Sequence, residues 1–103
     1  MRHFFRTHVV PADVMAQADA FFGAMNLRPV ASEPRSRTLQ GIVGTPEVVA
    51  TLRLVVKPEG GHWTFVEVTT DQMGESRLDR NVKRFFVSLR RAADPRHALE
   101  AAY

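Results

Sequence analysis

The residues of this sequence that could carry out acid–base or metal chemistry are a few scattered histidines and carboxylates. The four histidines are His3, His8, His62 and His97, and their spacing is not that of metal ligands. His3 and His8 fall on opposite faces of a predicted strand. Glu67 faces an arginine in the register predicted below, which lowers its basicity and makes it a poor general base. If the protein is an enzyme, we expect a cyclase- or hydratase-like proton transfer by His62 or Asp71, but no residue pattern identifies a catalytic residue, a metal site or a cofactor.

A stripe of arginines along the last predicted helix offers a different chemistry, the binding of anions. The stripe consists of Arg77, Arg80, Arg84 and Arg91. Asp79 is the only acidic residue between Ser76 and Ala93, so this helix is strongly basic. Such a face suits the phosphates of nucleic acid, an anionic membrane surface or an acidic partner. The alternative is a solvated helix face, since no aromatic residue interleaves with these arginines to stack on unpaired bases.

Composition limits the class of protein. The chain has 103 residues, of which 45% are hydrophobic and 24% charged, and this predicts one soluble domain over residues 1–103. The absence of cysteine excludes a disulfide framework, thiolate zinc sites and cysteine nucleophiles. No apolar stretch is long enough for a signal peptide or a membrane span, so we expect a cytoplasmic protein. The net charge is +3, and almost all of the positive charge is arginine, since Lys57 and Lys83 are the only lysines.

The periodicity of apolar residues predicts the elements that position these groups. We expect strands over residues 3–10, 36–43, 48–57 and 62–70, a short extended segment at 29–32, and helices over 11–26 and 76–93. Pro11 suits the first turn of the first helix, and Asn26 suits a left-handed cap at its end. Ser76 and Asp79 form a variant of the capping box at the start of the second helix. Asp94-Pro95 interrupts that helix before a short final turn or two.

The hairpin over residues 48–70 carries the clearest register signal. If Glu59-Gly60-Gly61 is a three-residue loop, Leu54 lies opposite Val66 and Arg53 lies opposite Glu67. A slip of one residue would bring Glu67 to the buried face, so the register is predicted to be strongly specified. In the preceding hairpin, residues 39, 41 and 43 face residues 52, 50 and 48.

The order of elements, β-α-β-β-β-β-α, predicts an α+β fold in which both helices cover one face of an antiparallel sheet of four or five strands. Three segments sharpen this prediction: Val9-Val10-Pro11-Ala12 before the first helix, Pro58-Glu59-Gly60-Gly61-His62-Trp63-Thr64 in a hairpin, and Thr69-Thr70-Asp71 before the last helix. With them the chain resembles a small helix-grip domain of the START, birch-allergen and polyketide-cyclase-like superfamily. The chain lacks two strands of full members and the length for their deep cavity. The superfamily has no shared catalytic set.

The resemblance implies a place for a ligand. In helix-grip proteins an apolar molecule lies between the sheet and the terminal helix. Here that space would be lined by Phe21, Met25, Leu52, Leu54, Val66, Phe85 and Leu89. The alternative is that these side chains simply fill the core of a domain this small.

The other face of the sheet carries unusual apolar surface for a monomer. The residues expected there are Val49, Val55, Trp63 and Phe65, with Ile42 beside Val49. They predict a homodimer, although scattered exposed apolar residues are normal. We therefore expect a small non-enzymatic binding module, homodimeric, that accommodates an apolar small molecule. The alternatives are nucleic-acid or anionic-surface binding through the arginine stripe, and a cyclase- or hydratase-like enzyme.

Overall fold

A computed structural model describes residues 1–43, 47–72 and 76–93. Its elements in chain order are β1 (Arg2–Thr7), α1 (Pro11–Gly23), β2 (Arg28–Glu33), β3 (Ser36–Val43), β4 (Val48–Glu59), β5 (Trp63–Thr70) and α2 (Arg77–Ala93). The predicted α+β order is confirmed. Residues 44–46 and 73–75, which connect predicted elements, lie outside the described residues. So do the predicted break at Asp94-Pro95 and the final turn, which includes His97.

The five strands form one antiparallel sheet in the order β1-β5-β4-β3-β2. The first strand therefore lies beside the last, and β1 and β2 are the two edges. Helix α1 packs on β4, and helix α2 packs on β1 and β5 and against α1. Both helices cover the same face of the sheet, so no helix of the described residues covers the other face. In the part of the chain that the structure describes, no helix is long and apolar enough to cross a membrane.

The two long hairpins differ in how well their registers were predicted. In the β3–β4 hairpin Leu39 pairs with Leu52 and Gly41 with Ala50, as predicted. In the β4–β5 hairpin the pairing is shifted by two residues, so Leu54 lies opposite Val68. The predicted pairing of Leu54 with Val66 is therefore wrong.

The shift has a cause in the turn between β4 and β5. Gly60 and Gly61 both have positive φ, 42° and 73°, and β4 continues to Glu59, which pairs with Trp63. The loop is thus Gly60-Gly61-His62 and not Glu59-Gly60-Gly61. Pro58 has no amide hydrogen, but no hydrogen bond of the sheet is lost at this position. Its nitrogen points to the same side of β4 as the Val56 amide, which donates to the Arg35 carbonyl just before β3 begins at Ser36. At Pro58, two residues further along β4, β3 is no longer alongside.

A shift of two residues leaves every side chain on its predicted face. The inner face is consequently as apolar as expected, while the predicted pair of Arg53 with Glu67 is wrong, because Arg53 lies opposite Thr69. The inner residues of the sheet and the apolar stripes of the helices form one core. Its fully buried members include Phe22, Leu52, Leu54, Val66, Val68, Phe85 and Leu89.

Candidate functional site

The outer face of the sheet, opposite α1 and α2, presents aromatic and arginine side chains in alternation. On β1, residues Arg2, Phe4 and Arg6 point outward because residues two apart in a strand share a face. On β5 the outward residues include Trp63 and Phe65. The β1–β5 register places Phe4 opposite Glu67 and Arg6 opposite Phe65, so the two sets interleave. We call Arg2, Phe4, Arg6, His8, Trp63 and Phe65 the aromatic–arginine strip.

The centre of the strip is a column of two rings between two guanidinium groups. Phe4 and Phe65 stack with centroids 5.6 Å apart and planes 26° apart. The Arg2 guanidinium lies 5.1 Å from the Phe4 centroid, and the Arg6 guanidinium lies 5.0 Å from that of Phe65. Since each cation sits within range of a ring face, the column is held by cation–π attraction as well as by stacking.

Ion pairs hold both guanidinium groups in place. Arg2 Nη2 lies 2.9 Å from Glu67 Oε1, and Arg6 Nε lies 2.9 Å from Glu59 Oε1. The partner that sequence reasoning missed for Glu67 is therefore Arg2, contributed by an edge strand that is distant in sequence. Both arginines and Glu59 are exposed, while Glu67 is half-buried. Each pair therefore contributes about 1 kcal/mol or less to stability.

Histidine and tryptophan form one end of the strip. The rings of His8 and Trp63 lie 3.9 Å apart, and His8 Nδ1 is 3.0 Å from the His62 carbonyl oxygen. Because a carbonyl only accepts, Nδ1 carries the proton and, in the neutral ring, Nε2 is left as an acceptor. An open cleft of about 460 Å³ adjoins this end, and its walls include Val10, Pro11, His62 and Trp63.

Further cations border the strip on β4. Lys57 lies opposite Phe65, and Arg53 lies opposite Thr69. Neither forms an ion pair with any residue that the structure describes. Exposed aromatic surface is therefore flanked by positive charge on both sides, from β1 and from β4.

The residues predicted for a dimer interface share this outer face but do not form one patch. Trp63 is 45% exposed and belongs to the strip with Phe65, and Val55 pairs with Glu67 beside it. Val49, 60% exposed, pairs with Ile42 at the far end of the sheet. The outward residues of β4 between Val49 and Val55 are polar, so two separate apolar areas result.

The residues predicted to bind an apolar ligand lie mostly in the closed core. The five that are fully buried are Leu52, Leu54, Val66, Phe85 and Leu89. Phe21 and Met25 are half-buried at its margin. The rings of Phe21 and Phe85 are in contact, with centroids 5.6 Å apart. A ligand between sheet and α2 would have to separate these side chains.

The arginine stripe of α2 is exposed as predicted, but its members have different surroundings. Arg84 and Arg91 line an open cleft of about 450 Å³ together with Phe21, Val87 and Ser88. Arg77 and Arg80 lie nearer the start of the helix and do not line that cleft.

A buried polar cluster joins β1, β5 and the first turn of α2, and sequence reasoning found only part of it. The Asp79 carboxylate accepts hydrogen bonds from His3 Nε2 at 2.7 Å, Thr70 Oγ1 at 2.9 Å and Ser76 Oγ at 2.6 Å. The Asp79 amide donates to Ser76 Oγ at 3.0 Å, which confirms the capping box. Although burial raises the pKa of Asp79, the bonds from Ser76, His3 and Thr70 outweigh it and hold that pKa below its ordinary value.

The geometry of this cluster fits a role in stabilising the fold. Asp79 is 1% exposed and His3 9% exposed, and both carboxylate oxygens are occupied by donors. The strand alternation predicted that His3 and His8 face opposite ways, and it could have suggested a buried partner for His3. Nothing in the sequence identified that partner as Asp79, 76 residues away.

The two residues considered for proton transfer are not brought together. His62 lies in the β4–β5 loop, and Asp71 follows the opposite end of β5. Asp71 Oδ1 accepts from the Thr51 amide at 3.0 Å and from Gln72 Nε2 at 2.9 Å. Burial raises the pKa of Asp71, but the hydrogen bonds from Gln72 and Thr51 lower it by more than burial raises it. The carboxylate is therefore a weak base.

No group of three or more histidine, aspartate or glutamate side chains suited to a metal ion occurs among the residues that the structure describes. No protein-family model matches the chain, and no curated protein matches its sequence. Function therefore has to be inferred from the side chains of the site itself.

Proposed function

We propose that this protein is a non-enzymatic module that binds single-stranded nucleic acid on the aromatic–arginine strip. The observation that carries the proposal is the interleaving of exposed rings, Phe4 at 52% and Trp63 at 45%, with arginines on an open sheet face. Unpaired bases stack on such rings irrespective of sequence, while the backbone phosphates follow positive charge. Antiparallel sheets with surface aromatic residues are an established platform for stacking bases.

The dimensions of the strip fit a short segment of single strand. Trp63 and Thr69 are six residues apart on β5, a distance of about 20 Å at the usual rise of a strand. Three aromatic rings lie within that length, and they suit about three unpaired bases. Cations on either side of the rings can pair with the phosphates. They are Arg2 and Arg6 on β1 and Arg53 and Lys57 on β4.

Binding would require a local rearrangement in the column of rings. Arg2 and Arg6 cover ring faces that a base would use, and each is held by a glutamate. A base that stacks on Phe4 therefore displaces the Arg2 guanidinium. The displaced cation remains beside the site, where it can pair with a phosphate in place of Glu67.

A second candidate function is self-association through the same face, as the sequence predicts. The exposure of Phe4, Trp63 and Val49 favours it, because association would remove this apolar surface from water. Two copies placed face to face would also remove Arg53 and Lys57 from water, and that costs free energy because neither has an ion-pair partner among the described residues. The charge of the face thus favours a polyanion over a second copy.

The helix-grip resemblance remains a proposal, supported by the observed order of elements and the long terminal helix packed on the sheet. It concerns fold and does not alter the proposed surface. An apolar ligand between sheet and α2 has less support, because the residues that would line its site are closely packed in the core.

The proposal is tested by fluorescence anisotropy with a labelled oligothymidylate and a matched oligouridylate. Loss of one stacking ring costs about 1–3 kcal/mol, so Phe4→Ala should weaken binding by about 5- to 150-fold. The matched control is Val30→Ala, since Val30 is equally exposed, at 54%, on the opposite edge strand. Unchanged affinity in Phe4→Ala would refute the strip as the site.

A charge comparison separates the sheet face from the arginine stripe of α2. With about four phosphate contacts, log affinity should fall with log salt at a slope of about −3. Arg53→Ala should reduce that slope by about 0.7, while Arg77→Ala on α2 should leave it unchanged. The reverse result would place the nucleic acid on the helix. Sedimentation velocity of the same proteins tests self-association, because a dimer formed by this face should dissociate in Phe4→Ala.

A further inference from the structure

The cleft between α1 and α2 combines apolar and basic side chains in a way that the nucleic-acid proposal does not use. It lies on the helical side of the domain, opposite the aromatic–arginine strip. Its volume is about 450 Å³, within the usual range for small-molecule sites. Its lining consists of Phe21 from α1 and of Arg84, Val87, Ser88 and Arg91 from α2.

The floor of the cleft is continuous with the aromatic part of the core. Phe21 is half-buried, and its ring lies 5.2 Å from that of Phe22 and 5.6 Å from that of Phe85. Phe22 and Phe85 are fully buried. Val87, 42% exposed, adds an apolar wall to a helix whose exposed face is otherwise rich in arginine. An apolar chain in the cleft would therefore cover Phe21 and Val87 without separating the core.

The charges at this cleft are positive and available. Arg84 and Arg91 are seven residues apart, which is about 10 Å along one side of a helix. Neither forms an ion pair with the residues that the structure describes. The Ser88 hydroxyl donates to the Phe85 carbonyl at 2.7 Å, so a negative group would be bound by the guanidinium groups.

The acidic residues of α2 and of the second half of α1 that the structure describes are already engaged. Asp79, the acid in the first turn of α2, is buried and bonded to His3, Thr70 and Ser76. Asp19 of α1 pairs with Arg37, with Nε and Oδ1 3.2 Å apart. These carboxylates do not compete for Arg84 or Arg91, so within the described part of the chain the two arginines are open to an external anion.

We propose that the α1–α2 cleft binds an amphiphilic anion, a molecule with an apolar chain and a carboxylate or phosphate head. The chain lies on Phe21 and Val87, and the head pairs with Arg84 or Arg91. This site joins two sets of residues that the sequence suggested separately, Phe21 from the apolar set and two arginines from the basic stripe. The ligand would be a free molecule, and an anionic membrane surface is the competing source of the same chemistry.

Isothermal titration calorimetry with monomeric decanoate tests the site. Guanidinium hydrogen bonds to a carboxylate are charge-assisted, so the double variant Arg84→Gln/Arg91→Gln should bind decanoate about tenfold more weakly or worse. The matched control is Arg77→Gln/Arg80→Gln, which removes the same charge from the same helix and should bind normally. Val87→Ser should also weaken binding, and since Val87 is exposed this variant should fold.

Comparison ligands decide what is recognised. Acetate lacks the chain and decanol lacks the charge, so both should bind much more weakly than decanoate. Equal binding of decanol, or equal losses in both arginine double variants, would overturn the proposal. Binding to phosphatidylglycerol vesicles without binding to decanoate would also overturn it, in favour of a membrane surface. Phe4→Ala should bind decanoate normally, so this test is independent of the nucleic-acid proposal.

Discussion

The buried carboxylate of Asp79 makes the most quantitative prediction, because its replacement by asparagine should destabilise the fold without changing its shape. Asparagine retains an oxygen for the bonds from His3 and Thr70. It also places an NH₂ group 2.6 Å from Ser76 Oγ, where the carboxylate had accepted a hydrogen bond. The Ser76 hydroxyl then loses its acceptor, and the bond from His3 loses its charged acceptor.

The magnitude follows from these contacts. Ser76 is half-buried and His3 is buried, and a hydrogen bond to a charged group contributes about 1.5–3 kcal/mol. Asp79→Asn should therefore cost about 1–3 kcal/mol. Asp79→Ala removes the acceptor for three donors, and loss of one partner of a buried pair costs about 3–5 kcal/mol. A domain of this size is stable by about 5–15 kcal/mol. At the lower end of that range the alanine variant would unfold, so asparagine is the better probe.

Urea unfolding followed by the fluorescence of Trp63 measures the free energy of unfolding. The matched control is Asp13→Asn. Asp13 lies in the first turn of α1 as Asp79 does in α2, but it is exposed. Its replacement should cost only the helix-dipole contribution, about 0.3–1 kcal/mol. If Asp79→Asn costs no more than Asp13→Asn, the buried cluster does not stabilise the fold and the reasoning is wrong.

The same variant predicts a pH dependence. The folded pKa of Asp79 lies below its ordinary value of 3.8. A lowered folded pKa stabilises the protein above the unfolded pKa, and this stability is lost as the pH falls through the folded pKa. The difference between wild type and Asp79→Asn should thus shrink as the pH falls below about 5. A difference that grows as the pH falls below about 5 would contradict the assignment.

Two further predictions concern a glycine and an ion pair. A Cβ on Gly41 would lie 2.5 Å from Leu27 Cδ2 and 3.0 Å from the Asn26 carbonyl oxygen. Gly41→Ala should therefore lower the free energy of unfolding, measured by thermal denaturation, by about 1–3 kcal/mol. Gly23→Ala, which meets no atom within 4 Å, should instead be neutral or stabilising, and equal effects would refute the packing argument. Glu67→Gln releases Arg2 and should raise oligonucleotide affinity up to about fivefold; weaker binding in the anisotropy assay would contradict the role given to Arg2.

The fold could be predicted from the sequence because each face of each strand has a distinct composition. Alternation in β3, β4 and β5 specified which residues face the core, and a slip of one residue would have mixed the two faces. A shift of two residues preserves both faces, so alternation could not detect it. The β4–β5 register depended on which residues form the turn, and the positive φ of both Gly60 and Gly61 decided that.

The candidate site was harder to predict because it is made by β1, whose neighbour β5 lies some 60 residues away in sequence. Alternation puts Phe4 and Arg6 on one face of the first strand, but it gives no signal that they interleave with Phe65 of β5. No aromatic residue interleaves with the arginine stripe of α2. Aromatic residues and arginines interleave instead on the outer face of the sheet. The His3–Asp79 pair escaped prediction for the same reason, since each residue has an ordinary local role.

The most direct test of the aromatic–arginine strip is the intrinsic fluorescence of Trp63, the only tryptophan of the chain. Titration with unlabelled oligothymidylate should quench this fluorescence to a saturating value, because a base that stacks on the Trp63 ring quenches its emission. The quenching should weaken with added salt and shift to higher oligonucleotide concentration in Phe4→Ala. Non-specific binding reaches dissociation constants of about 10⁻⁴ M. No quenching at about 1 mM oligonucleotide in low salt, well above that range, would contradict the proposed function.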